Sequence, residues 1–298
     1  MSFSVDRRGV LKLSFGAVAA YAGAASGGLA AMLAASGGAA AEALPSTVKV
    51  GLSNQLPYAF LDDKGELTGQ SPDVLRAALA GSGVTNFEPT VAEFSALIPG
   101  LLAKRFDVIA TGLFIRPKRC EVIAYGNIDS TSRESMIVKK GNPLGIHSLE
   151  DVKKNPDIRM ALLRGGVEES YADAAGVPKS QWVTLPDTTT LLAAVQGGRA
   201  DVGFNTLVIN YSTFEKMPDS GLEFVENFVD PVVDGKPAID YAAMGFRQED
   251  VALREAYNAG LAKLLASGEL AAINKKYGLP EALSPTASTP TPEELCKG

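Results

Sequence analysis

Few side chains in this sequence could do covalent or metal chemistry. The 298 residues include one histidine, His147, and two cysteines, Cys120 and Cys296. Histidine-built metal centres and cysteine-rich zinc sites need more ligands than these, so the composition argues against both. A Ser-His-Asp hydrolase would have a single possible histidine. We expect His147, which stands just before a predicted helix cap at Ser148, to be a surface loop residue.

The glycines do not form a phosphate-binding motif. The chain contains no Gly-x-x-x-x-Gly-Lys-Ser/Thr and no Gly-x-Gly-x-x-Gly after a predicted strand. The pair Gly197-Gly198 follows a predicted helix, which is the wrong context for binding a phosphate. The sequence therefore predicts no nucleotide cofactor, and we expect no cofactor of any kind.

The charge balance restricts the partners. Thirty-four acidic and 28 basic residues give a formal net charge of -6. Nucleic acid and anionic membranes attract a basic face, so this balance argues against both as main partners. With 46% apolar residues, the chain has enough material for one large domain or two modest ones. We expect a monomer.

The first 43 residues have the features of an export signal. Arg7 and Arg8 precede an uncharged, Ala- and Gly-rich run over residues 13–41, an arrangement that resembles a twin-arginine signal. Small residues at its end suit cleavage after about Ala41 or Ala43. An uncleaved membrane anchor is the alternative, since the run is long enough to span a bilayer. We favour export, which predicts a periplasmic mature protein.

Export changes what the two cysteines predict. An oxidising compartment favours disulfides, and two cysteines allow one intramolecular pairing. We therefore predict a bridge between Cys120 and Cys296, which would hold a Ser-, Thr- and Pro-rich tail over residues 283–298. Two free thiols are the alternative.

Beyond the signal, short apolar strands alternate with helices, a pattern typical of α/β proteins with largely parallel sheets. Ser71 is predicted to cap a helix whose first residue is Pro72. The predicted strands cover residues 48–52, 107–111, 135–139, 159–163, 182–185, 201–204 and 243–246. The predicted helices begin at residues 71, 94, 117, 148, 167, 188, 250 and 270.

Four segments in order carry a family resemblance. Over residues 45–280 the chain resembles the family 3 solute-binding proteins of ABC importers, which capture polar amino acids. The segments are residues 56–60 (LPYAF), 94–101 (FSALIPGL), 106–119 (FDVIATGLFIRPKR) and 268–278 (GELAAINKKYG).

The resemblance implies the two-lobed α/β fold of type II periplasmic binding proteins, in which each lobe is a mixed sheet flanked by helices. Lobe 1 would comprise residues 45–127 and 242–283, lobe 2 residues 131–237, and the tail residues 284–298. Two hinge crossings, near residues 127–130 and 238–241, would let the lobes close over a ligand. Delivery to a membrane permease would follow.

Arg119 is the first expected ligand residue. In the family the matching arginine pairs with the ligand's α-carboxylate, because a guanidinium offers two parallel donors to two oxygens. Lobe 2 would complete this clamp with backbone N–H groups at Gly165, Gly166 and Val167, where a helix begins. The alternatives are a surface arginine and an ordinary strand-to-helix turn. Glu168 is expected on the helix surface.

The expected cationic end of the site departs from amino-acid binders. Phe114, in the loop that begins at Gly112, replaces a hydroxyl residue, and Asn205 replaces an aspartate, so acceptors for a primary ammonium are lost. Tyr58, Phe94 and Phe114 all map to the cleft, where ring faces attract a diffuse positive charge. The alternative is that these rings are core residues.

Within the family the pattern is similar to ectoine- and hydroxyectoine-binding proteins. Ectoine is a cyclic zwitterion whose amidinium and carboxylate suit aromatic walls and Arg119. Gln55 stands where that subgroup commonly has a glutamate, so it can accept a hydrogen bond but brings no charge. The shared residues are Phe114, Ile115, Pro117, Arg119 and Cys120, and the late run Glu294-Leu295-Cys296.

Three other functions stay open on the sequence. The first is a receptor for an ordinary polar amino acid. The second is a periplasmic cyclohexadienyl dehydratase, which would need a proton donor or acceptor over the substrate. The expected cleft offers aromatics, amides and one arginine, without a histidine or a clear buried carboxylate, and so predicts no enzyme. The third is a ligand-sensing partner of a membrane receptor.

Overall fold

The computed structural model describes residues 44–217, 219–233, 235–286 and 288–297. The predicted export signal lies outside the described residues. The strands are β1 (Thr47–Leu52), β2 (Phe60–Leu61), β3 (Leu67–Thr68), β4 (Asn86–Val91), β5 (Val108–Ile109), β6 (Ala124–Ser132), β7 (Glu134–Lys139), β8 (Met160–Leu163), β9 (Trp182–Leu185), β10 (Val202–Thr206), β11 (Leu222–Phe224), β12 (Val232–Val233), β13 (Lys236–Pro237) and β14 (Asp240–Phe246). The helices are α1 (Gln70–Ala78), α2 (Leu97–Leu102), α3 (Pro117–Cys120), α4 (Leu149–Lys154), α5 (Glu168–Ala174), α6 (Thr188–Gln196), α7 (Leu207–Phe214), α8 (Val251–Ser267), α9 (Glu269–Lys276) and α10 (Pro292–Lys297), with 3₁₀ turns at Phe94–Ala96, Lys179–Gln181 and Glu281–Leu283.

One five-stranded sheet has the order β4-β1-β5-β14-β6. Its strand β1 pairs in parallel with β4 and β5, whereas β14 runs antiparallel to β5 and β6. Helices α1, α8 and α9 pack together beside this sheet, α2 packs on β1 and β5, and α10 packs on α3 and β6. We call this sheet and these helices the first lobe.

The other five-stranded sheet has the order β11-β7-β10-β8-β9. Its strand β8 is parallel to β9 and β10, and β7 is antiparallel to β10 and β11. Helices α5, α6 and α7 pack on its strands, and α4 joins its core through Leu149 and Val152. We call this group the second lobe. Both sheets are mixed rather than largely parallel, because β14 and β7 run against their neighbours.

The apolar pattern of the sequence accounts for the core of the first lobe. Val48 and Val50 alternate along β1 and are fully buried. A stripe at helical spacing on α8 faces them: Leu253, Tyr257 and Leu261 are buried within the same cluster. Burial of such side chains contributes roughly 1.5–3 kcal/mol each.

The start of α4 follows the capping prediction. Ser148 Oγ accepts a hydrogen bond from Asp151 N–H at 3.1 Å. The Asp151 carboxylate in turn accepts from the backbone N–H of His147 at 3.0 Å and from Ser148 Oγ at 2.8 Å. Asp151, although shorter than the usual glutamate, therefore accepts from the N–H of the residue before Ser148 and completes the cap. His147 is exposed, as predicted.

The start of α1 corrects the sequence prediction. The helix is preceded by Gly69, and Ser71 is its second residue, not its cap. The Ser71 hydroxyl donates to Gln70 Oε1 at 2.9 Å and accepts from Gly112 N–H at 3.2 Å. The Ser71 side chain, which the local sequence predicts to cap the helix, therefore contacts the loop after β5 instead.

The helix predicted from residue 94 to residue 104 is also shorter than expected. A 3₁₀ turn over Phe94–Ala96 leads into α2, which ends at Leu102. Lys104 adopts a φ of 57°, a left-handed conformation that cannot continue an α-helix. The turn separates Phe94 from the helix proper, and Phe94 lies in the same apolar cluster as Leu163 of the second lobe.

Two neighbouring strands, β6 and β14, lie where the chain passes from one lobe to the other. β6 and β14 pair antiparallel, with Ser132 opposite Asp240 and Ser130 opposite Ala242. Both predicted hinge crossings lie at or beside this ladder. Among the described residues, no helix has the length and apolar character needed to cross a membrane.

Candidate ligand-binding site

The predicted ligand residues stand at the ends of strands from both lobes. Gln55 follows β1, Phe114 lies in the loop after β5, Gly165 follows β8, and Asn205 is near the end of β10. The carboxyl ends of strands in open α/β sheets are where small molecules bind. The fold therefore places these residues at the edges where a ligand site is expected.

Arg119 joins the two lobes. It lies on α3, which begins at Pro117 as predicted, after an extended Arg116 with a φ of -143°. Its Nη1 donates to the Phe114 carbonyl at 2.7 Å and its Nη2 donates to the Gly165 carbonyl of the second lobe at 2.9 Å. Burial lowers the pKa of Arg119. A partly buried guanidinium of this kind favours an anionic partner.

One of the three predicted rings contacts this arginine directly. The Arg119 guanidinium carbon lies 5.4 Å from the centre of the Phe94 ring. Tyr58 and Phe114 meet edge to face with ring centres 6.3 Å apart. All three rings are buried and lie in three different apolar clusters, as the core alternative expects.

Gly112 makes room for one of these rings. A Cβ at this position would lie 2.5–2.8 Å from carbon atoms of the Tyr58 ring. Its φ of 68° is also in the left-handed region that glycine tolerates best. Both constraints explain why this position begins the loop that carries Phe114.

The second-lobe turn differs from the expected carboxylate clamp. The Gly166 N–H already donates to the Leu163 carbonyl at 3.0 Å. Glu168, expected on the surface, is 2% exposed, and its carboxylate folds back over the turn, where a Cβ at Gly166 would clash with Glu168 Oε2. Val167, which precedes α5, is buried. The Glu168 carboxylate therefore lies at the turn whose backbone N–H groups were expected to bind the carboxylate of the ligand.

The two predicted amides lie beside a separate cavity. Gln55 lines a cavity of about 320 Å³ together with Thr188, and Asn205 Nδ2 donates to the Thr188 hydroxyl at 3.2 Å. Both amide oxygens are already bonded: Gln55 Oε1 accepts from Ser53 Oγ at 3.0 Å, and Asn205 Oδ1 accepts from Thr206 N–H at 2.9 Å.

A larger cavity opens beside the arginine. It has a volume of about 620 Å³ and is lined by Arg116, Arg119, Gly165, Gly166 and Trp182. The Trp182 indole N–H donates to the Val177 carbonyl at 3.2 Å, which fixes the ring at the second-lobe side of the cavity.

Sequence reasoning missed a group of buried carboxylates. Glu134, Glu168 and Asp240 are 2%, 2% and 0% exposed, which corrects the expectation of a cleft without a clear buried carboxylate. Arg116 pairs with Asp240, and the Tyr171 hydroxyl donates to Asp240 Oδ1 at 2.7 Å. The available signal was a charged residue, Glu134, two residues before the apolar run 136–138 of strand β7.

The electrostatics of this group follow from burial. Burial, reinforced by the neighbouring Glu168 and Asp240 charges, raises the pKa of Glu134 well above its usual range. Burial likewise raises the pKa of Glu168 to about 7. Burial alone would lower the pKa of Arg116, but the adjacent Asp240 carboxylate raises it overall. Among the described residues, no group of three or more His, Cys, Asp and Glu side chains is arranged to hold a metal ion.

The cysteines are joined next to the arginine. Cys120 and Cys296, the pair expected from the sequence, form a disulfide with their Cα atoms 5.7 Å apart. Leu295 and Cys296 of α10 pack against the apolar cluster that contains Phe94. The bridge therefore holds the C-terminal helix against the short helix that carries Arg119.

Comparisons of this chain with known proteins show its family. Residues 48–280 match the family model of bacterial extracellular solute-binding proteins, family 3. A probable amino-acid ABC transporter periplasmic-binding protein of Sinorhizobium fredii is 34% identical over 252 residues, covering 84% of this chain and 82% of the relative. The lysine/arginine/ornithine-binding periplasmic protein of Escherichia coli is 29% identical, covering 79% of this chain and 88% of that protein.

A solved structure is similar to this chain throughout the described lobes. The crystal structure of EhuB in complex with hydroxyectoine has 34% sequence identity and a TM-score of 0.75, and the match covers 84% of this chain and 94% of that one. An ancestral arginine-binding protein bound to arginine has a TM-score of 0.68 at 22% identity, a likeness of fold.

Proposed function

Because this chain belongs to the bacterial extracellular solute-binding proteins of family 3, we propose that it captures a small zwitterionic compatible solute of the ectoine and hydroxyectoine type. The coarser function is that of a periplasmic binding protein of the amino-acid ABC-transporter type, which is not an enzyme. It binds a small ligand and delivers it to an ABC permease. The predicted dehydratase alternative has no place in this assignment.

One observation carries the proposal: the Arg119 guanidinium contacts both lobes and the Phe94 ring. Arg119 lies against the Phe94 ring and donates to the Phe114 carbonyl, and the Phe114 ring meets Tyr58. A carboxylate would pair with the guanidinium through two parallel hydrogen bonds. A delocalised cation would gain roughly 0.5–2 kcal/mol from each ring face that it contacts away from water.

The comparison with EhuB supports the same ligand type, since that protein is bound to hydroxyectoine at 34% identity to this chain. Gln55 is the residue that sets this chain apart from the pattern, because it brings an amide where the subgroup commonly has a glutamate. The positive charge of the solute would then need another counter-ion.

A polar amino acid is the second candidate, and the buried acids favour it. Glu134 and Glu168 are acceptors that the sequence did not suggest, and a primary ammonium needs several acceptors. The relatives named above are amino-acid-type and lysine/arginine/ornithine-binding proteins.

Closure of the lobes would bury the solute. Contacts already join the lobes at Arg119 and Gly165 and at Arg164 and Glu93, whose charged groups are 3.5 Å apart. We propose that residues 127–130 and 238–241, at or beside the paired strands β6 and β14, are the hinge crossings between lobes 1 and 2. Residues 1–43 would be the cleaved export signal.

Isothermal titration calorimetry of the mature protein tests the proposal. The panel contains ectoine, hydroxyectoine, arginine, lysine, histidine and glutamine. Micromolar or tighter binding of ectoine or hydroxyectoine, with weak binding of the amino acids, is the expected result. Tight binding of amino acids alone would assign the second candidate instead.

Phe114→Ser tests the role of the rings. The change restores a hydroxyl acceptor and removes one ring face, so preference should shift from ectoine toward primary-ammonium ligands by about 0.5–2 kcal/mol, the value of one cation–π contact. Calorimetry with ectoine and lysine measures the shift. Phe60→Ser, a half-buried ring outside the set, is the matched control. Intact ectoine binding in the Phe114 variant would contradict the aromatic account.

A further inference from the structure

The buried carboxylates adjoin the residues proposed to hold the ligand. Glu134 begins β7, Glu168 begins α5, and Asp240 begins β14, so three separate segments bring them together. Glu134 and Asp240 interact electrostatically with Tyr58, and Glu168 interacts with Arg119. The geometry agrees: Glu168 Oε2 lies against Gly166, Asp240 pairs with Arg116, and Glu134 is opposite Thr206, whose hydroxyl donates to Glu168.

The oxygens of these acids have fewer partners than buried carboxylates normally do. Glu134 and Asp240 lie within hydrogen-bond distance of each other and can share one proton, but no other N–H or O–H donor of the described residues reaches Glu134, and Glu168 Oε2 also lacks one. Glu168 Oε1 accepts long hydrogen bonds from the N–H and hydroxyl of Thr206, at 3.3 and 3.4 Å. A buried carboxylate without donors is costly, so this group is incomplete as it stands.

The positive charges nearby do not balance the group. Arg116 is paired with Asp240 and donates to the Tyr171 hydroxyl at 2.9 Å. Arg119 is directed at the carbonyls of Phe114 and Gly165. Glu134 therefore has no cation paired with it in a direct contact among the described residues. A positively charged group placed beside it would supply the missing donors.

The two amides expected in the site do not supply this negative charge. Gln55 Oε1 and Asn205 Oδ1 each accept a hydrogen bond from a neighbouring residue of the chain. Both side chains are also neutral. Charged acceptors in this part of the molecule come from the acids instead.

We propose that Glu134, assisted by Glu168, is the counter-ion for the cationic pole of the ligand, and that the ligand lies with this pole toward the hinge strands. The inference rests on the proposed function, in which the ligand is a small zwitterion. It assigns the carboxylate pole to Arg119 on the cavity side and the ammonium or amidinium pole to the acids beside β14. Zwitterions should therefore bind, and monocarboxylates without a cation should not.

Calorimetry on matched variants tests this assignment. The variants are Glu134→Gln and Glu168→Gln, which keep the side-chain shape and remove the charge. Asp107→Asn is the control, because this acid of the first lobe lies outside the site and already accepts from the Lys49 N–H and from Arg247, each at 3.0 Å. Circular dichroism and thermal unfolding check that each variant is folded. The probes are ectoine, hydroxyectoine, arginine, lysine and histidine, with cyclohexanecarboxylate as a ring-sized anion.

We expect Glu134→Gln to weaken the zwitterion that binds wild-type protein best by about 30-fold or more, the usual loss when one member of a buried charge pair is removed. Glu168→Gln should weaken it to a smaller extent, and Asp107→Asn should leave it unchanged. Cyclohexanecarboxylate should bind wild-type protein at least about 30-fold more weakly than that zwitterion.

Three results would overturn the inference. Unchanged affinity in folded Glu134→Gln would make Glu134 and Asp240 a structural pair that shares a proton, while the proposed function would stand. Equal affinity for cyclohexanecarboxylate and for the best-bound zwitterion would show that the cationic pole of the ligand does not contribute to binding. Binding of none of the probes would count against both the inference and the proposed function. Binding of lysine or arginine instead of ectoine, with the Glu134 loss, would overturn the ectoine proposal and support this inference.

Discussion

At the scale of single residues, the Arg119 guanidinium contacts both lobes, through the carbonyls of Phe114 and Gly165. Arg119→Ala would leave a ligand carboxylate between the lobes without its partner, so we expect binding to weaken by about 2–5 kcal/mol. Calorimetry with the best-bound zwitterion measures the loss. Arg105→Ala, an exposed arginine of the first lobe, is the control. An equal affinity in the two variants would remove Arg119 from the site.

Gly112 offers a test of ring placement that does not change a charge. Gly112→Ala would force a Cβ into the Tyr58 ring and strain a left-handed backbone, so we expect destabilisation by about 2–4 kcal/mol and weaker ligand binding. Gly81→Ala is the control, because Gly81 has a similar φ of 77° with no atom within 4 Å of its Cβ position. Urea unfolding compares the two. Similar losses would show that backbone strain alone matters.

The residues that the sequence identified and those it missed differ in a physical way. Arg119 and Phe114 follow a strand in a recognisable motif, so their place at a strand end could be inferred from local sequence. Glu134, Glu168 and Asp240 come from distant segments, and their significance arises from burial next to one another. A single sequence does not show that residues from distant segments are buried side by side. Glu168 was therefore expected on the surface.

At the scale of elements, the disulfide connects two short helices. α3 has four residues and α10 six, lengths at which an isolated helix is not stable in water. We expect the double variant Cys120→Ser, Cys296→Ser to lose about 2–4 kcal/mol of unfolding free energy and to expose α10 to proteolysis. Reduced wild-type protein is the control and should match it. Unchanged stability would show that packing of Leu295 suffices.

Elements set by local chemistry were predictable, and elements set by tertiary contacts were not. The cap at Ser148 depends on Asp151 three residues away, and the structure contains it. The cap expected at Ser71 is wrong because its hydroxyl contacts Gly112, 41 residues further along the chain. β6 was missed because its residues are largely polar, and its pairing with β14 forms only when the chain returns to the first lobe.

At the scale of the whole molecule, Asp129 ties β6 to helices α1 and α8. Its carboxylate accepts from Gln70, Ser130 and Tyr257, and burial raises its pKa from 3.8 to about 6. Between about pH 4 and pH 6 the folded protein therefore holds more protons than the unfolded chain, so the unfolding free energy falls as pH rises through this window.

Asp129→Asn should remove this contribution. The unfolding free energy of the variant, relative to wild type, should rise by about 3 kcal/mol between pH 4 and pH 7, the equivalent of a shift of about two pKa units. Urea unfolding at several pH values measures the difference. Other buried acids, including Glu134 and Glu168, contribute equally to both proteins and cancel. A difference that stays constant with pH would contradict the expected titration.

The position of Trp182 has a practical consequence for the study of this receptor. It is the only tryptophan of the chain, and it lines the same cavity as Arg119, from the opposite lobe. A change in its fluorescence would therefore report ligand binding without an attached dye. No other tryptophan would contribute background emission. Rapid mixing with solute could then time the encounter and the closing movement in unlabelled protein.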